Sequence, residues 1–176
     1  MSNGGFTFKI RTQFSFIVDD PTLSYILSGI AKQEINITGY LQTKLFEIEN
    51  NNPNNLYSNC NVVRIVVGSP DSENSSDLLG VRKVLDRLGV KFQEKSVIQA
   101  VDIPPGIPGI INGIFGALRC KVIVNAIYIG EETRIFIDAS DIREALLILS
   151  QTPLEQCPKQ CRPYTSSHQG KKGIKK

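Results

Sequence analysis

The sequence has a single histidine, His168, close to its carboxyl end. A Ser-His-Asp or Cys-His arrangement therefore has no base within the patterned part of the chain. Tryptophan is absent and methionine occurs once, which excludes little in a soluble globular protein. No apolar run approaches the roughly 18–20 residues of a membrane span. The opening MSNGGFTFKIR lacks the basic segment and apolar core of a secretory signal. The four cysteines (Cys60, Cys120, Cys157, Cys161) show no framework spacing, which favours reduced thiols and a cytoplasmic setting. Cys157, Cys161 and His168 depart from Cys-x2-Cys spacing and lack a fourth ligand, so neither metal nor cofactor is expected. The run GIPGIING has neither the Gly-Lys-Ser/Thr ending of a phosphate-binding loop nor dinucleotide spacing. No carboxylate pair stands out for acid–base work. These absences together argue against an enzyme.

Basic residues are also few outside the last two dozen positions. From Pro153 on, Lys159, Arg162, Lys171, Lys172, Lys175 and Lys176 face one acid, Glu155, so that segment carries +5. The rest carries 14 basic and 16 acidic groups, a net of −2, so the overall +3 belongs to the tail. The segment 153–176 is expected to be largely disordered.

What the chain does have is one pattern twice. Residues 14–45 and 97–130 each read as an apolar run, an Asp/Pro/Gly-type turn, a short amphipathic helix and a second apolar run. In each copy another strand and a second helix follow. A repeat of this kind decides the architecture. It predicts two β-α-β-β-α units in series, with antiparallel sheets and helices on one face. In the first unit, apolar residues alternate from Phe6 to Val18 as in a strand. Asp19-Asp20-Pro21 then starts a helix whose stripe is Leu23, Ile26, Leu27 and Ile30. Ile35-Asn36-Ile37 opens a second strand, 49–59 is an asparagine-rich loop, and the uninterrupted NVVRIVV (61–67) predicts a central strand. Leu78, Val81, Leu85 and Leu88 form a helical stripe closed by Gly89.

In the second unit Val97–Val101 is a strand, and Asp102–Gly109 is a turn rich in proline and glycine. Ile111, Ile114, Phe115 and Leu118 make the next stripe, within which Gly113 and Gly116 suit close packing of helix on sheet. A hairpin runs through 122–138 around Gly130, and Asp141 with Glu144 forms a capping box before the final stripe.

The stretch DDPTLSYILSGIAKQEINITGY resembles the opening of ACT domains: a strand, an Asp-x-Pro-Gly-x-Leu turn, an amphipathic helix and an Ile-Asn-Ile strand. The second copy, DIPPGIPGIINGIFGAL, keeps the Pro-Gly pair at Pro108-Gly109. The two copies cover about residues 6–150 and resemble a free-standing tandem ACT protein. The resemblance implies an α+β fold of two ferredoxin-like βαββαβ units. Unit boundaries are expected at 1–95 and 96–152, with edge strands shared or exchanged. It also implies a non-catalytic regulatory module that binds an amino acid at the strand-to-helix turn, within a homodimer or with a protein partner. A helix start offers unpaired N–H groups and a partial positive charge to a carboxylate.

Carried onto this chain, the resemblance implies sites at Asp20, Pro21, Thr22, Asn36 and Thr38 in the first copy. In the second it implies Asp102, Pro105, Gly106, Pro108, Gly109, Ile110 and Asn112. The second turn is the favoured one, because Pro21 or Thr22 stands where the family has glycine, whereas Gly106 and Gly109 leave room. Against this, Asp20 and Asp102 serve equally well as helix caps, and Asn36 as an exposed strand residue. Three classes remain. One is the small-molecule sensor. The second is a nucleic-acid-associated protein using the basic tail, which the missing aromatic RNA-binding signature disfavours. The third is an interaction module without a ligand.

Overall fold

A computed structural model describes residues 7–45, 60–103 and 106–157. The loop expected at 49–59 lies outside them, as do Cys161, His168 and the basic residues beyond 157. The elements run β1 (Thr7–Val18), α1 (Asp20–Ala31), β2 (Ile37–Lys44), β3 (Asn61–Val67), α2 (Ser75–Arg87), β4 (Phe92–Val101), α3 (Ile110–Leu118), β5 (Val124–Ile129), β6 (Ile135–Ala139) and α4 (Ile142–Leu149). A single 3₁₀ turn, Glu131–Thr133, joins β5 to β6.

Local chemistry fixes the helix starts. Asp19, not Asp20, caps α1: its Oδ1 accepts from Thr22 N at 2.9 Å, and Pro21 sits in the first turn. Asn74 Oδ1 caps α2 through Asp77 N at 2.8 Å, and Asp141 Oδ1 caps α4 through Glu144 N at 2.9 Å. The start of α3 differs. Gly109, at φ 88°, occupies the cap position, and no side chain caps it. The capping role considered for Asp102 is therefore corrected: Asp102 itself sits at φ 58°, beside Arg134 Nη1 at 3.8 Å.

All six strands form one antiparallel sheet in the order β2-β3-β1-β4-β6-β5. β3 is flanked on both sides, as its unbroken apolar run predicts. The two long strands divide their labour. Residues 13–18 of β1 pair with β3, and 13–16 also pair with 92–95 of β4. Residues 7–12 of β1 pair with 96–101 of β4, whose 98–100 pair with β6. β2-β3-β1-β4 with α1 and α2 is thus one βαββαβ layer. In the second layer, β5-β6-β4 with α3 and α4, the amino-terminal part of β1 supplies the last strand. The expected boundary at 95/96 falls inside β4.

The strand also starts earlier than the expected Val97. Gln93, Glu94 and Ser96 are exposed and break the apolar signal. Glu94 is bound by Arg82 of α2 through two hydrogen bonds of 2.6 Å, which hold its carboxyl below the usual range.

The helix side of the sheet carries two cores. Phe14, Phe16, Ile65 and Val67 pack with Ile26, Ile30, Val81 and Leu85. Ile98, Ile135 and Ile137 pack with Ile114, Leu118, Ala145 and Leu149. Much of the opposite face is also buried, because the sheet curls until β2 meets the β5–β6 hairpin. A Cβ on Gly39 of β2 would lie 2.7 Å from the Phe136 ring of β6, and one on Gly130 would lie 2.2 Å from Thr38 O. Inside the curl lie Val66, Val97, Tyr128 and Phe136, the last two stacked at 5.3 Å. Gly39→Ala should lower stability by about 1–2 kcal/mol, since a ring in a packed core must move. An unchanged midpoint in urea would show that the two edges are not in contact.

The inner face is more polar than alternation suggests. Arg11, Gln13, Gln99 and Asp138 are all 0–2% exposed. Arg11 donates to Val67 O, Ser69 O and Ser72 O at 2.9–3.1 Å and to Gln99 Oε1 at 2.9 Å, so it fastens the β3–α2 loop to the sheet. Asp138 accepts from Lys95 Nζ at 2.6 Å, Asn125 Nδ2 at 3.0 Å and Gln13 Nε2 at 3.3 Å, and Tyr128 Oη donates to Gln13 at 2.8 Å. Burial pushes the Asp138 carboxyl upward, but these donors outweigh it and hold the group below its ordinary value. Burial, reinforced by Asp138, pushes the Tyr128 phenol up.

Reading every cysteine as reduced is overturned for one pair. Cys120, just past α3, is disulfide-bonded to Cys157, with Cα atoms 6.0 Å apart. The chain returns to α3 after Pro153: Leu154 joins the second core, Gln156 Nε2 donates to Gly113 O at 3.0 Å, and Cys157 N donates to Gly116 O at 3.0 Å. This return also corrects the role given to the helix glycines. A Cβ on Gly116 would strike Gln156, not the sheet, and one on Gly113 would meet nothing within 4 Å. Among the described residues no helix is long and apolar enough to cross a membrane.

Candidate functional site

The β4–α3 turn borders a cavity of about 450 Å³. Of the expected residues, it brings together Gly106, Gly109, Ile110 and Asn112. Pro105 lies outside the described residues, Pro108 is in the turn without lining the cavity, and Asp102 points to Arg134. The remaining wall was not foreseen: Ile103, Ile107 and Ile111 from the turn and helix, and Ile129, Thr133 and Ile135 from the hairpin. Two features give this place its character. Six isoleucines line it and no charged side chain does. The first amide that closes a helical bond in α3 is Gly113 N, to Gly109 O at 2.8 Å, so the earlier N–H groups have no side-chain cap. Those donors and the helix dipole favour a small anionic group such as a carboxylate. Gly106 and Gly109 are both at positive φ, and a Cβ on either would meet nothing within 4 Å, so they keep the turn open.

The first turn is built differently. Asp19 already caps α1, and the bond from Thr22 holds its carboxyl below the ordinary value. Asp20 is bound by Asn61 Nδ2 at 2.7 Å and by Lys44, which lower its pKa too. Pro21 lines neither cavity described here, whereas Thr22 borders a larger one of about 1120 Å³. Asn36 does not reach the second turn: its Nδ2 donates to Gly68 O at 3.0 Å and Glu131 Oε2 at 2.8 Å, tying β2 to the β5–β6 connection. Thr38 is 1% exposed and its hydroxyl has no hydrogen-bond partner among the described residues. Among the described residues no group of three His, Cys, Asp or Glu is placed to hold a metal.

No family model and no curated protein matches the chain. Solved structures do. A protein from Bacteroides thetaiotaomicron superposes with a TM-score of 0.57 at 18% identity, over 89% of this chain and 94% of that one. The regulatory subunit of aspartate kinase from Thermus flavus gives 0.53 at 16% identity, over 86% and 98%. The subunit from Thermus thermophilus, in its ligand-free form, gives 0.51 at 12%, over 83% and 97%. At such identities the likeness is one of fold. The α+β, ferredoxin-like arrangement expected from the ACT resemblance is present, in the form found in regulatory subunits.

Proposed function

We propose that the chain is a non-catalytic regulatory module that binds an amino acid at the β4–α3 turn. The observation that carries this is the cavity joining an uncapped helix start to an apolar wall. The ligand carboxylate sits on the amides of Ile110, Ile111 and Asn112, with Gly106 and Gly109 admitting it to the backbone. The isoleucines take the side chain, which favours an apolar amino acid: a charged one would lose hydration without gaining a partner. Binding stiffens the turn between β4 and α3, and the change is read by a second copy or a protein partner. The fold shared with aspartate kinase regulatory subunits supports a regulatory role of this kind.

A thermal-shift series over the twenty amino acids tests the reading. At about 100 times its dissociation constant an effector should add roughly 2.7 kcal/mol of stability. Ile111 is 45% exposed, so Ile111→Asp should leave the ligand-free midpoint within about 0.5 kcal/mol while abolishing the response. If no amino acid shifts the midpoint, the sensor reading fails and a ligand-free interaction module takes its place. Light scattering at tens of micromolar decides whether the partner is a second copy.

A further inference from the structure

We infer a second ligand site, on the inner face of the sheet, for a small carboxylate with a short aliphatic body. It rests on Arg64. This side chain is 21% exposed, and its Nε lies 3.5 Å from Asp138 Oδ2. That oxygen is already taken by Lys95 at 2.6 Å and Gln13 at 3.3 Å, and Oδ1 by Asn125. The Arg64 Nε is buried without a hydrogen bond, and among the described residues the guanidinium makes none. One carboxylate thus faces two cations, and the less satisfied cation lines the larger cavity. A guanidinium whose Nε is shut off from water and whose outer donors open on a cavity without a protein partner is suited to an anion.

The strand register shows how the anion is held. Ser15 of β1 stands directly between Arg64 of β3 and Gln93 of β4. All three border the cavity, about one strand spacing apart. Ser15 Oγ accepts from Gln13 Nε2 at 2.9 Å, so its own proton is free to be donated outward. Guanidinium, hydroxyl and amide form a row of donors across three strands, with Lys95 behind. The next row, Val62 and Ile17, is apolar, and Ile17 is 53% exposed. A planar carboxylate takes two parallel bonds from a guanidinium, and an aliphatic body then covers Ile17. This site is separate from the β4–α3 turn, with which it shares no lining residue.

Butyrate and inorganic phosphate are suitable probes for the full chain, followed through the backbone amide resonance of Ser15, which lines the same cavity and which every variant retains. Butyrate should move that resonance saturably. Arg64→Gln should weaken binding by about tenfold or more, the scale of a lost charge-assisted bond. Gln93→Ala, at an exposed position, should weaken it by about fivefold, the scale of a neutral bond. Ile111→Asp should leave it unchanged, which separates this site from the amino-acid reading. A resonance that does not respond in the wild-type chain overturns the site. So does equal affinity in Gln93→Ala and Arg64→Gln. Saturable binding of phosphate with none of butyrate overturns the carboxylate assignment.

Discussion

Cys120→Ala should lower the stability of the chain by about 4 kcal/mol and its melting temperature by about 10 °C. The bridge closes a loop with a sequence separation of 37 residues. The chain-entropy relation for a loop of that size gives about 4 kcal/mol of denatured-state freedom restored on cutting it, and a chain of this length loses about 2–4 °C per kcal/mol. Native contacts go with it. Cys157 O accepts from Arg119 Nη2 at 3.0 Å, and the return segment covers the end of α3 and adds Leu154 to the second core. Thermal melts with and without reductant check the assignment. Reduced wild type and Cys120→Ala should coincide, and Cys157→Ala should match them. A wild-type midpoint indifferent to reductant would mean that the two thiols are not bonded.

Lys95→Met should cost about 2–3 kcal/mol at neutral pH and leave a chain that mild acid stabilises. Removing one partner of a buried ion pair costs about 3–5 kcal/mol; the 35% exposure of Lys95 reduces that figure. In the wild type the Asp138 carboxyl is held below its unfolded value of about 3.9. Its contribution is therefore fully present above that value and disappears as pH falls through the lower folded one. Without Lys95 the neutral donors Asn125 and Gln13 and the Arg64 guanidinium at 3.5 Å remain, and burial, the largest influence on the group, should carry the folded pKa above the unfolded one. Protonation then relieves a buried charge, so the variant should gain stability as pH falls from 7 towards 5. Urea midpoints across that range decide the matter. A variant whose midpoint does not rise with acid would show that Asp138 is not the group responsible.

The helices and most strands were legible because their burial is periodic. The stripe Leu23, Ile26 and Ile30 and the alternation Phe14, Phe16 and Val18 face one core, so each choice of residue records one packing partner. Strand pairing is a different kind of fact. That Thr7–Thr12 pairs beyond residue 95 depends on contacts far apart in the chain, which no local period encodes. The inner polar face was hidden for the opposite reason. Arg11, Gln13, Gln99 and Asp138 alternate with apolar residues as solvent-facing positions do, and only the curl of the sheet buries them. Two local signals did point to the curl, Gly39 inside a strand and Gly130 at its hairpin, since such glycines mark close backbone approach. At the candidate site the turn was legible from Gly106 and Gly109. Its isoleucine wall was not, since two of its six isoleucines, Ile129 and Ile135, come from the β5–β6 hairpin. The cysteine pair was unreadable because spacing does not give connectivity.

The division of β1 and β4 between the two layers has a further consequence for what can be cut away. A fragment ending at residue 95 keeps the whole of β1 but strands its first six residues without their partners, 96–101. A fragment starting at 96 has no strand to close its own layer. Each would present an open edge with unpaired N–H and C=O groups, a template for another chain. Such fragments should recombine into an interlocked pair or precipitate.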